Sequence, residues 1–215
     1  MFDCKQEEIR FCINPECLVS LLLCEEMTDL ESILITGAEQ FTSYIGYGGS
    51  FKCTGPYKDT NPVDDRNRRR VYIVAIDAIP IDDPSSQFRK PSIVRELDKA
   101  YSGFCHRLGD DKPSENSMTE VATGNWGCGM FGGNKRLKTL IQWMAASRAG
   151  RPLRYYTFRE PQLSQEQMKV SKVLLEKKVT VGQLYEILVS GKEALRNNAF
   201  TYVLDSVKSH IKNDK

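Results

Sequence analysis

Apolar residues in one stretch of the chain recur three and four positions apart, the spacing that places them on one face of a helix. They are Leu137, Leu140, Ile141, Met144 and Ala145. Gly150 follows at a position where helices commonly end, so a helix is predicted up to that residue. A second helix is predicted over about 15 to 27, because Asn14 and Pro15 are typical of a helix start and leucines follow at helical spacing.

Two Ser/Thr-x-x-Gln patterns in the C-terminal third predict the starts of further helices. They are Ser164 with Gln167 and Thr180 with Gln183. A helix is also predicted over 92–103, where Ser92 is the candidate cap. The chain after Thr180 is predicted to be helical almost to its end.

Short apolar runs that end near glycine or proline predict strands. The predicted strands are 33–36, 71–79, 120–123 and 153–158. The run 71–79 is apolar on both alternating faces, which is typical of a central strand covered by helices. The segment 46–70 is predicted to be an exposed polar connection, and 106–118 a loop rich in charge, proline and serine.

Strands and helices therefore alternate, which is typical of an α/β protein with a largely parallel or mixed sheet. One domain is predicted over residues 1–215, because no repeat or linker separates two cores. The 215 residues are 40% apolar and 27% charged, as in ordinary globular domains. A net charge of +2 is too small to indicate nucleic-acid binding. No apolar run is long enough to span a bilayer, and the first residues do not resemble a signal peptide.

The cysteines and histidines exclude some kinds of site. The seven cysteines contain no Cys-x-x-Cys pair, so neither a disulfide framework nor a zinc site is predicted, and the thiols are expected to be reduced and mostly buried. His106 and His210 stand in unrelated contexts. A histidine metal site or a Ser-His-Asp triad is therefore not predicted.

The segment GNWGCGMFGG, residues 124–133, follows a predicted strand and opens the clearest helix. In that context glycines allow close approach of an anion, and free N–H groups at a helix N-terminus bind phosphate. The spacing matches neither the P-loop nor the dinucleotide pattern, which disfavours a nucleoside triphosphatase. Trp126 and Phe131 either pack this loop down or flank a ligand, and the residues alone leave both possibilities open.

Two further segments carry candidate chemistry. Hydrolysis of a glycosidic bond needs a carboxylic acid as proton donor, and of the adjacent Glu7 and Glu8 one could donate while the other orients a sugar hydroxyl. The commoner interpretation of such a pair is solvated surface charge, as for Glu25–Glu26. Tyr44 and Tyr47 could stack on an adenine or cover a ribose, or could simply pack a loop.

In this order, the segments resemble the C-terminal part of the poly(ADP-ribose) glycohydrolase family, whose catalytic core is a macrodomain-like α/β fold. The likeness rests on QEEIRFCINPE (6–16), ITGAEQFTSYIGYG (35–48), IVAIDAI (73–79), ATGNWGCGMFGG (122–133), YYTF (155–158) and KKVTVGQLYEIL (177–188). It covers nearly the whole chain. The fold that it implies is a macrodomain-like mixed sheet flanked by helices and incomplete at the N-terminus.

The resemblance implies roles for the acidic pair and its surroundings. Glu8 matches the catalytic acid that protonates the leaving ribose oxygen, and Glu7 matches a neighbour that orients the bound ribose. Gln6 matches a residue lining the same pocket, Tyr47 one that lies over the ligand, and Tyr44 a nearby support.

The resemblance also assigns the glycine segment to the substrate. The implied binding residues there are Asn125, Gly129, Met130, Phe131 and Gly132, which match the diphosphate-binding loop with Phe131 beside the ligand. Phe158 matches an aromatic residue of the adenine pocket. The implied activity is hydrolysis of ribose–ribose O-glycosidic bonds in poly(ADP-ribose), which releases ADP-ribose and needs no metal or organic cofactor.

The implied partners are poly(ADP-ribose), ADP-ribose and poly(ADP-ribosyl)ated proteins, in the nucleus and cytoplasm and in the DNA damage response. Neither a membrane nor direct nucleic-acid binding is expected. The basic cluster 66–70 could contact the anionic polymer, although such clusters are more often solvated loops.

One departure from the family pattern leaves three hypotheses open. The family has a run of three glycines shortly before its QEE motif, whereas only MFDCK precedes Gln6 here. The chain could be a glycohydrolase sequence shortened at the N-terminus, as a truncated gene model or a short isoform. It could instead be a non-catalytic remnant that binds ADP-ribose or nothing. It could also be a nucleotide-binding regulator that uses only the glycine loop.

Overall fold

A computed structural model describes residues 4–105 and 119–213 of the protein. These residues form two compact units. The N-terminal unit comprises 4–28 and 32–75, and the C-terminal unit comprises 29–31 and the described residues from 76 onward. The loop predicted over 106–118 lies outside the described residues. In the part of the chain that the structure describes, no helix is long and apolar enough to cross a membrane.

Helices and strands alternate, which confirms the predicted α/β class. The α-helices are α1 (Gln6–Ile13), α2 (Ser20–Leu23), α3 (Lys90–Phe104), α4 (Lys135–Arg148), α5 (Pro161–Glu176), α6 (Val181–Asn197) and α7 (Ala199–Asn213). Single 3-10 turns lie at Pro15–Val19 and Ser86–Phe88. The strands are β1 (Ile33–Thr36), β2 (Thr42–Ile45), β3 (Lys52–Pro56), β4 (Tyr72–Ala75), β5 (Val121–Gly124) and β6 (Leu153–Tyr156).

The N-terminal unit contains two antiparallel strand pairs. Strands β1 and β4 pair with Ile33 opposite Ala75, and β2 pairs with β3 in a hairpin whose register shifts between Ser43 and Tyr44, where β3 has one extra residue. The prediction of a long central strand over 71–79 is wrong, because β4 ends at Ala75, pairs with β1 alone among the described strands and is only half-buried. Beyond it, the Asp77 carboxylate binds Arg95 instead of continuing an apolar strand.

Two other predictions for the N-terminal unit need correction. The helix expected over about 15 to 27 is a 3-10 turn followed by α2, which ends at Leu23. The segment 46–70, expected to be a connection, contains β3. Strand β3 was not predicted because its residues are almost all exposed and show no apolar alternation. Helix α1 was not predicted either.

The core of the C-terminal unit lies around α4. Leu140 and Ala145 are fully buried, as the helical spacing predicts. The side chain of Asn134 caps this helix by accepting a hydrogen bond from the N–H of Leu137 at 3.0 Å. Gly150 follows the helix in the left-handed region, with φ of +71°, as expected of a stop glycine. Strands β5 and β6 pair in parallel beside α4.

The capping box of Thr180 and Gln183 is confirmed at the start of α6. The N–H of Gln183 donates to Thr180 Oγ1 at 3.2 Å, and the N–H of Thr180 donates to Gln183 Oε1 at 2.9 Å. The start predicted at Ser164 is wrong, because α5 begins at Pro161, and proline fits the first helical turn without loss of a hydrogen bond.

All seven cysteines are unpaired, as predicted. The expectation that most are buried is wrong, because four of them are exposed: Cys12, Cys24, Cys53 and Cys105. Cys17 is buried and Cys128 is half-buried. Burial raises the pKa of Cys128 to about 12, so this thiol stays protonated and is a poor nucleophile at neutral pH.

Candidate functional site

The acidic pair lies in the first turn of α1. Gln6, Glu7 and Glu8 are exposed, whereas Ile9 on the same helix is buried. The backbone N–H of Lys5 donates to Glu8 Oε2 at 3.0 Å. The Glu8 carboxylate therefore satisfies one of the N–H groups left unbonded at a helix N-terminus, where a negative charge is also favoured by the helix dipole.

The tyrosine segment is tied to the residues just before this helix. The N–H of Gly48 donates to the carbonyl oxygen of Cys4 at 2.7 Å. Tyr44 and Tyr47 are 42% and 52% exposed, and the Tyr44 ring packs against Phe51 with 5.7 Å between ring centroids. The structure thus brings the start of the acidic helix and the tyrosine segment together within the N-terminal unit.

The turn between β2 and β3, which carries Tyr47, requires a glycine at position 46. Gly46 has φ of +78°, and a Cβ added there would lie 2.0 Å from the carbonyl oxygen of Ser50. Ser50 closes the turn, because its Oγ accepts from the N–H of Tyr47 at 3.0 Å and donates to the Tyr47 carbonyl at 2.8 Å. This geometry fixes the backbone that carries Tyr47.

A buried polar contact fixes the end of α1. Asn14 is 2% exposed, and its amide donates to the carbonyl of Ala38 at 3.4 Å while its Oδ1 accepts from Arg10 at 3.0 Å. The sequence suggested that Asn14 caps the following turn. Its side chain makes no capping hydrogen bond there. It connects α1 to the segment before β2 instead.

The glycine segment 124–133 forms a tight loop between β5 and α4. Gly127 and Gly132 have φ of +70° and +69°, a region that favours glycine. A Cβ added at Gly133 would lie 2.7 Å from the carbonyl oxygen of Gly127, so this close backbone approach also requires glycine. Gly129 differs, because an added Cβ would meet nothing within 4 Å.

The outer part of this loop offers N–H groups to a ligand. Gly129 and Phe131 are exposed, and within the described chain their N–H groups donate to no acceptor. The N–H of Gly133 is bonded to Gly127 O at 2.9 Å, which closes the loop behind them. Exposed, unbonded N–H groups in a glycine loop that leads into a helix form a favourable site for a phosphate group.

The side chain of Asn125 is held at the first turn of the loop. Its Oδ1 accepts from the hydroxyl of Tyr155 at 3.0 Å, and its amide lies 3.5 Å from Glu160 Oε1. Glu160 also pairs with Lys135 at 2.5 Å. Burial raises the pKa of Tyr155, which keeps its hydroxyl protonated as a donor to Asn125.

Phe158 lies next to the same loop. A Cβ added at Gly124 would approach the Phe158 ring to 3.1 Å, and the side chain of Phe158 is 59% exposed. Phe158 and Arg159 both have positive φ, at 52° and 64°, which is uncommon for residues with side chains and marks functional segments more often than others. The structure therefore brings Phe158 and the glycine loop together.

Charged side chains form a network in the C-terminal unit that is buried at Glu96, Lys99 and Lys138. Glu96 and Lys138 are 6% and 5% exposed, and their charged ends are in contact. Arg95 bonds to Glu96 at 2.7 Å and also pairs with Asp77, which in turn pairs with the fully buried Lys99 at 2.5 Å.

The sequence pattern predicts the loop but not the polar residues that support it. No motif or spacing rule marks these polar residues in the sequence. They are Lys135, Lys138, Gln142 and Glu160. Gln142 is fully buried and donates to the carbonyl of Gly124 at 3.1 Å. At helical spacing Gln142 lies outside the predicted apolar face, and it is buried because α4 is covered on almost every side, so the pattern carried no signal for it.

The basic cluster 66–70 is partly paired within the protein. Arg68 binds Asp64 at 2.7 Å, and Arg69 binds Glu39 at 2.8 Å. These pairs support the interpretation of the cluster as a structured surface loop.

Strand β5, the glycine loop and helix α4 follow one another in the order that α/β proteins commonly use where they bind phosphate groups. Comparison with known proteins places the chain more closely. A family model described as "Poly (ADP-ribose) glycohydrolase (PARG), Macro domain fold" matches residues 1–165. The chain belongs to the poly(ADP-ribose) glycohydrolase family, and the fold of that family is the macrodomain.

Several curated proteins are similar to the chain. "Probable poly(ADP-ribose) glycohydrolase 2" of Arabidopsis thaliana is 37% identical over 221 residues, which cover 87% of this chain and 42% of that protein. "Poly(ADP-ribose) glycohydrolase 1" of Caenorhabditis elegans is 38% identical over 217 residues, covering 96% and 27%. "Poly(ADP-ribose) glycohydrolase 1" of Arabidopsis thaliana is 35% identical over 248 residues, covering 86% and 45%. The chain thus spans less than half the length of these relatives.

Proposed function

We propose that the chain hydrolyses the ribose–ribose O-glycosidic bonds of poly(ADP-ribose) and releases ADP-ribose. The observation that carries the proposal is the outer glycine loop of a family member, in which the exposed residues Gly129 and Phe131 have N–H groups that donate to no acceptor within the described chain. A diphosphate is the anionic part of ADP-ribose, and a glycine loop with unbonded N–H groups ahead of a helix suits it. The names of the relatives point to the same polymer.

In the proposed reaction Glu8 donates a proton to the leaving ribose oxygen as the glycosidic carbon–oxygen bond breaks. Positive charge develops on the anomeric carbon and its ring oxygen, and water then adds to that carbon and gives a proton back to the Glu8 carboxylate. Glu7 orients a ribose hydroxyl during this step. Because α1 points both carboxylates outward, they can contact a ligand without any change in the helix.

The other expected residues bind the substrate in this proposal. Tyr47 covers the ligand on the rigid turn that Gly46 and Ser50 form, and Phe158 packs beside the adenine. Asn125 is held in one orientation by Tyr155. The physiological partners would be poly(ADP-ribosyl)ated proteins of the nucleus and cytoplasm, including those of the DNA damage response.

One observation favours a second candidate, binding of ADP-ribose without hydrolysis. A carboxylic acid becomes a proton donor at neutral pH when apolar groups surround it. Glu8 is instead exposed, and its carboxylate accepts a hydrogen bond from the backbone of Lys5. In this second candidate the glycine loop binds the diphosphate and Glu8 only caps its helix.

A hydrolysis assay with matched variants separates the two candidates. We expect the chain to release ADP-ribose from purified polymer, and Glu8→Gln to lower the rate at least about a hundredfold, because the amide cannot donate the proton. Glu25→Gln changes another exposed glutamate of the same unit and should leave the rate unchanged. Binding of ADP-ribose by calorimetry with no hydrolysis would establish the second candidate, and absence of both would contradict the proposed function.

A further inference from the structure

A buried ion pair that the proposed reaction does not use lies in contact with the glycine loop. Glu96 of α3 and Lys138 of α4 are both more than nine-tenths buried. We propose that Lys138, held in place by Glu96, is a positioning residue that sets the shape of the loop for the diphosphate of ADP-ribose. This inference rests on the proposed function and deepens it.

Lys138 touches the loop at two successive residues. Its ammonium nitrogen lies 3.6 Å from the centroid of the Trp126 ring, within the range of a cation–π contact. A Cβ added at Gly127 would lie 3.2 Å from the same nitrogen, so the ammonium group occupies the space beside the Gly127 Cα. The ammonium group therefore supports the turn formed by Trp126 and Gly127.

The contact with Gly127 reaches the N–H groups that face the ligand. The carbonyl of Gly127 accepts the hydrogen bond from Gly133 that closes the loop, at 2.9 Å. Gly129 and Phe131 lie between these two residues, so their N–H directions depend on where Gly127 is held. A displacement of about 1 Å in groups that bind or orient a substrate can cost as much as a hundredfold.

The ion pair also explains why a charged residue can occupy this place. A buried ammonium is costly unless a carboxylate compensates for its lost hydration. Burial, with Arg95 nearby, lowers the pKa of Lys138, whereas the carboxylates of Asp77 and Glu96 favour its charged form. Since Arg95 bonds to both carboxylates, the support under the loop is fixed to α3 as well as α4.

The test compares three variants of the whole chain. Lys138→Met keeps most of the length of the side chain and removes the charge, and Lys138→Arg keeps the charge. Arg136→Met is the matched control, because Arg136 lies on the same helix and pairs with Glu166 at 2.6 Å, outside the loop. Each variant is measured by calorimetric titration with ADP-ribose, by thermal unfolding, and by amide hydrogen exchange of residues 124–133 without ligand.

We expect Lys138→Met to weaken ADP-ribose affinity at least about tenfold and to speed hydrogen exchange in the loop. Lys138→Arg should retain affinity within about threefold, and Arg136→Met should match the wild type in affinity and in loop exchange. A folded Lys138→Met protein with wild-type affinity and unchanged loop exchange overturns the positioning role, even if its melting temperature falls.

A Lys138→Met protein that does not fold and a wild-type chain that does not bind ADP-ribose lead to different conclusions. If Lys138→Met does not fold, Glu96→Gln, which keeps the shape of the partner and removes its charge, must show weaker ADP-ribose binding and faster loop exchange, and an unchanged result overturns the inference. If the wild-type chain binds no ADP-ribose, the proposed function itself fails. If the wild-type chain binds ADP-ribose, and the Lys138 and Glu96 variants match it in affinity and in loop hydrogen exchange, only the positioning role is overturned.

Discussion

At the scale of single residues, the glycines of the loop have different reasons to be glycine. Gly127, Gly132 and Gly133 are required by the backbone itself, through positive φ or through close approach of another main-chain atom. At Gly129 neither reason applies, since the space beside its Cα is open. The requirement at Gly129, if the loop binds a diphosphate, comes from the ligand.

This difference predicts that one alanine substitution lowers stability and that another weakens ligand binding. Gly133→Ala should lower the free energy of unfolding by about 1–3 kcal/mol, because its Cβ would lie 2.7 Å from a carbonyl oxygen. Gly129→Ala should change stability by less than about 0.5 kcal/mol but weaken ADP-ribose binding, because the methyl group occupies the space that a phosphate would enter. Chemical denaturation and calorimetric titration of both variants measure this. Equal destabilisation by the two, or full binding by Gly129→Ala, would contradict the explanation.

At the scale of whole elements, the helix caps decide where the C-terminal helices begin. Thr180 makes both hydrogen bonds of its capping box with Gln183. We expect Thr180→Ala to lower the free energy of unfolding by about 1 kcal/mol, because one helix N–H loses its acceptor. Thr201→Ala, an exposed threonine inside α7, should be neutral or slightly stabilising, since alanine is the better helix former. Urea denaturation midpoints decide, and equal effects of the two substitutions would refute a capping role.

Elements with a buried face could be predicted from the sequence, and elements without one could not. Helix α4 was predicted because five apolar residues recur at helical spacing, and all five are buried in the core. Strand β3 has almost no buried side chain, so the hairpin is set by its turn and by pairing with β2, which no local pattern reports. The capping-box pattern predicted the start of α5 at the wrong residue, because the helix begins at Pro161, three residues before Ser164.

The same limit applies to the candidate site. The glycine loop could be predicted because close backbone approach restricts several neighbouring positions at once, and because the family motif contains them. Lys138 and Glu160 reach the loop from separate helical positions, through the packing of α4 and the start of α5. Such residues become visible only when tertiary structure places them, whatever their chemistry.

At the scale of the whole molecule, each of the two compact units contains an aspartate whose carboxylate is stabilised by hydrogen bonds or ion pairs. In the N-terminal unit Asp59 is 4% exposed and accepts from the N–H groups of Gln40 and Asn61 at 3.0 and 2.9 Å. In the C-terminal unit Asp77 pairs with Lys99 and Arg95. Burial alone would raise the pKa of both carboxyls, but these bonds outweigh it, so both pKa values lie below the ordinary range.

A carboxyl whose pKa is lower in the folded than in the unfolded chain stabilises the fold above about pH 3.9, and this stabilisation is lost as pH falls through the folded pKa. We therefore expect the free energy of unfolding to fall below about pH 4. Asp77→Asn should cost about 1–2 kcal/mol at pH 6, a moderate value because the side chain is 40% exposed, and the difference from the wild type should shrink towards pH 2. Asp98→Asn, an exposed aspartate of the same unit, is the control and should change little at either pH. Urea denaturation across this range measures the effect. A gap between Asp77→Asn and wild type that stays constant down to pH 2 would show that the Asp77 carboxylate does not couple folding to pH.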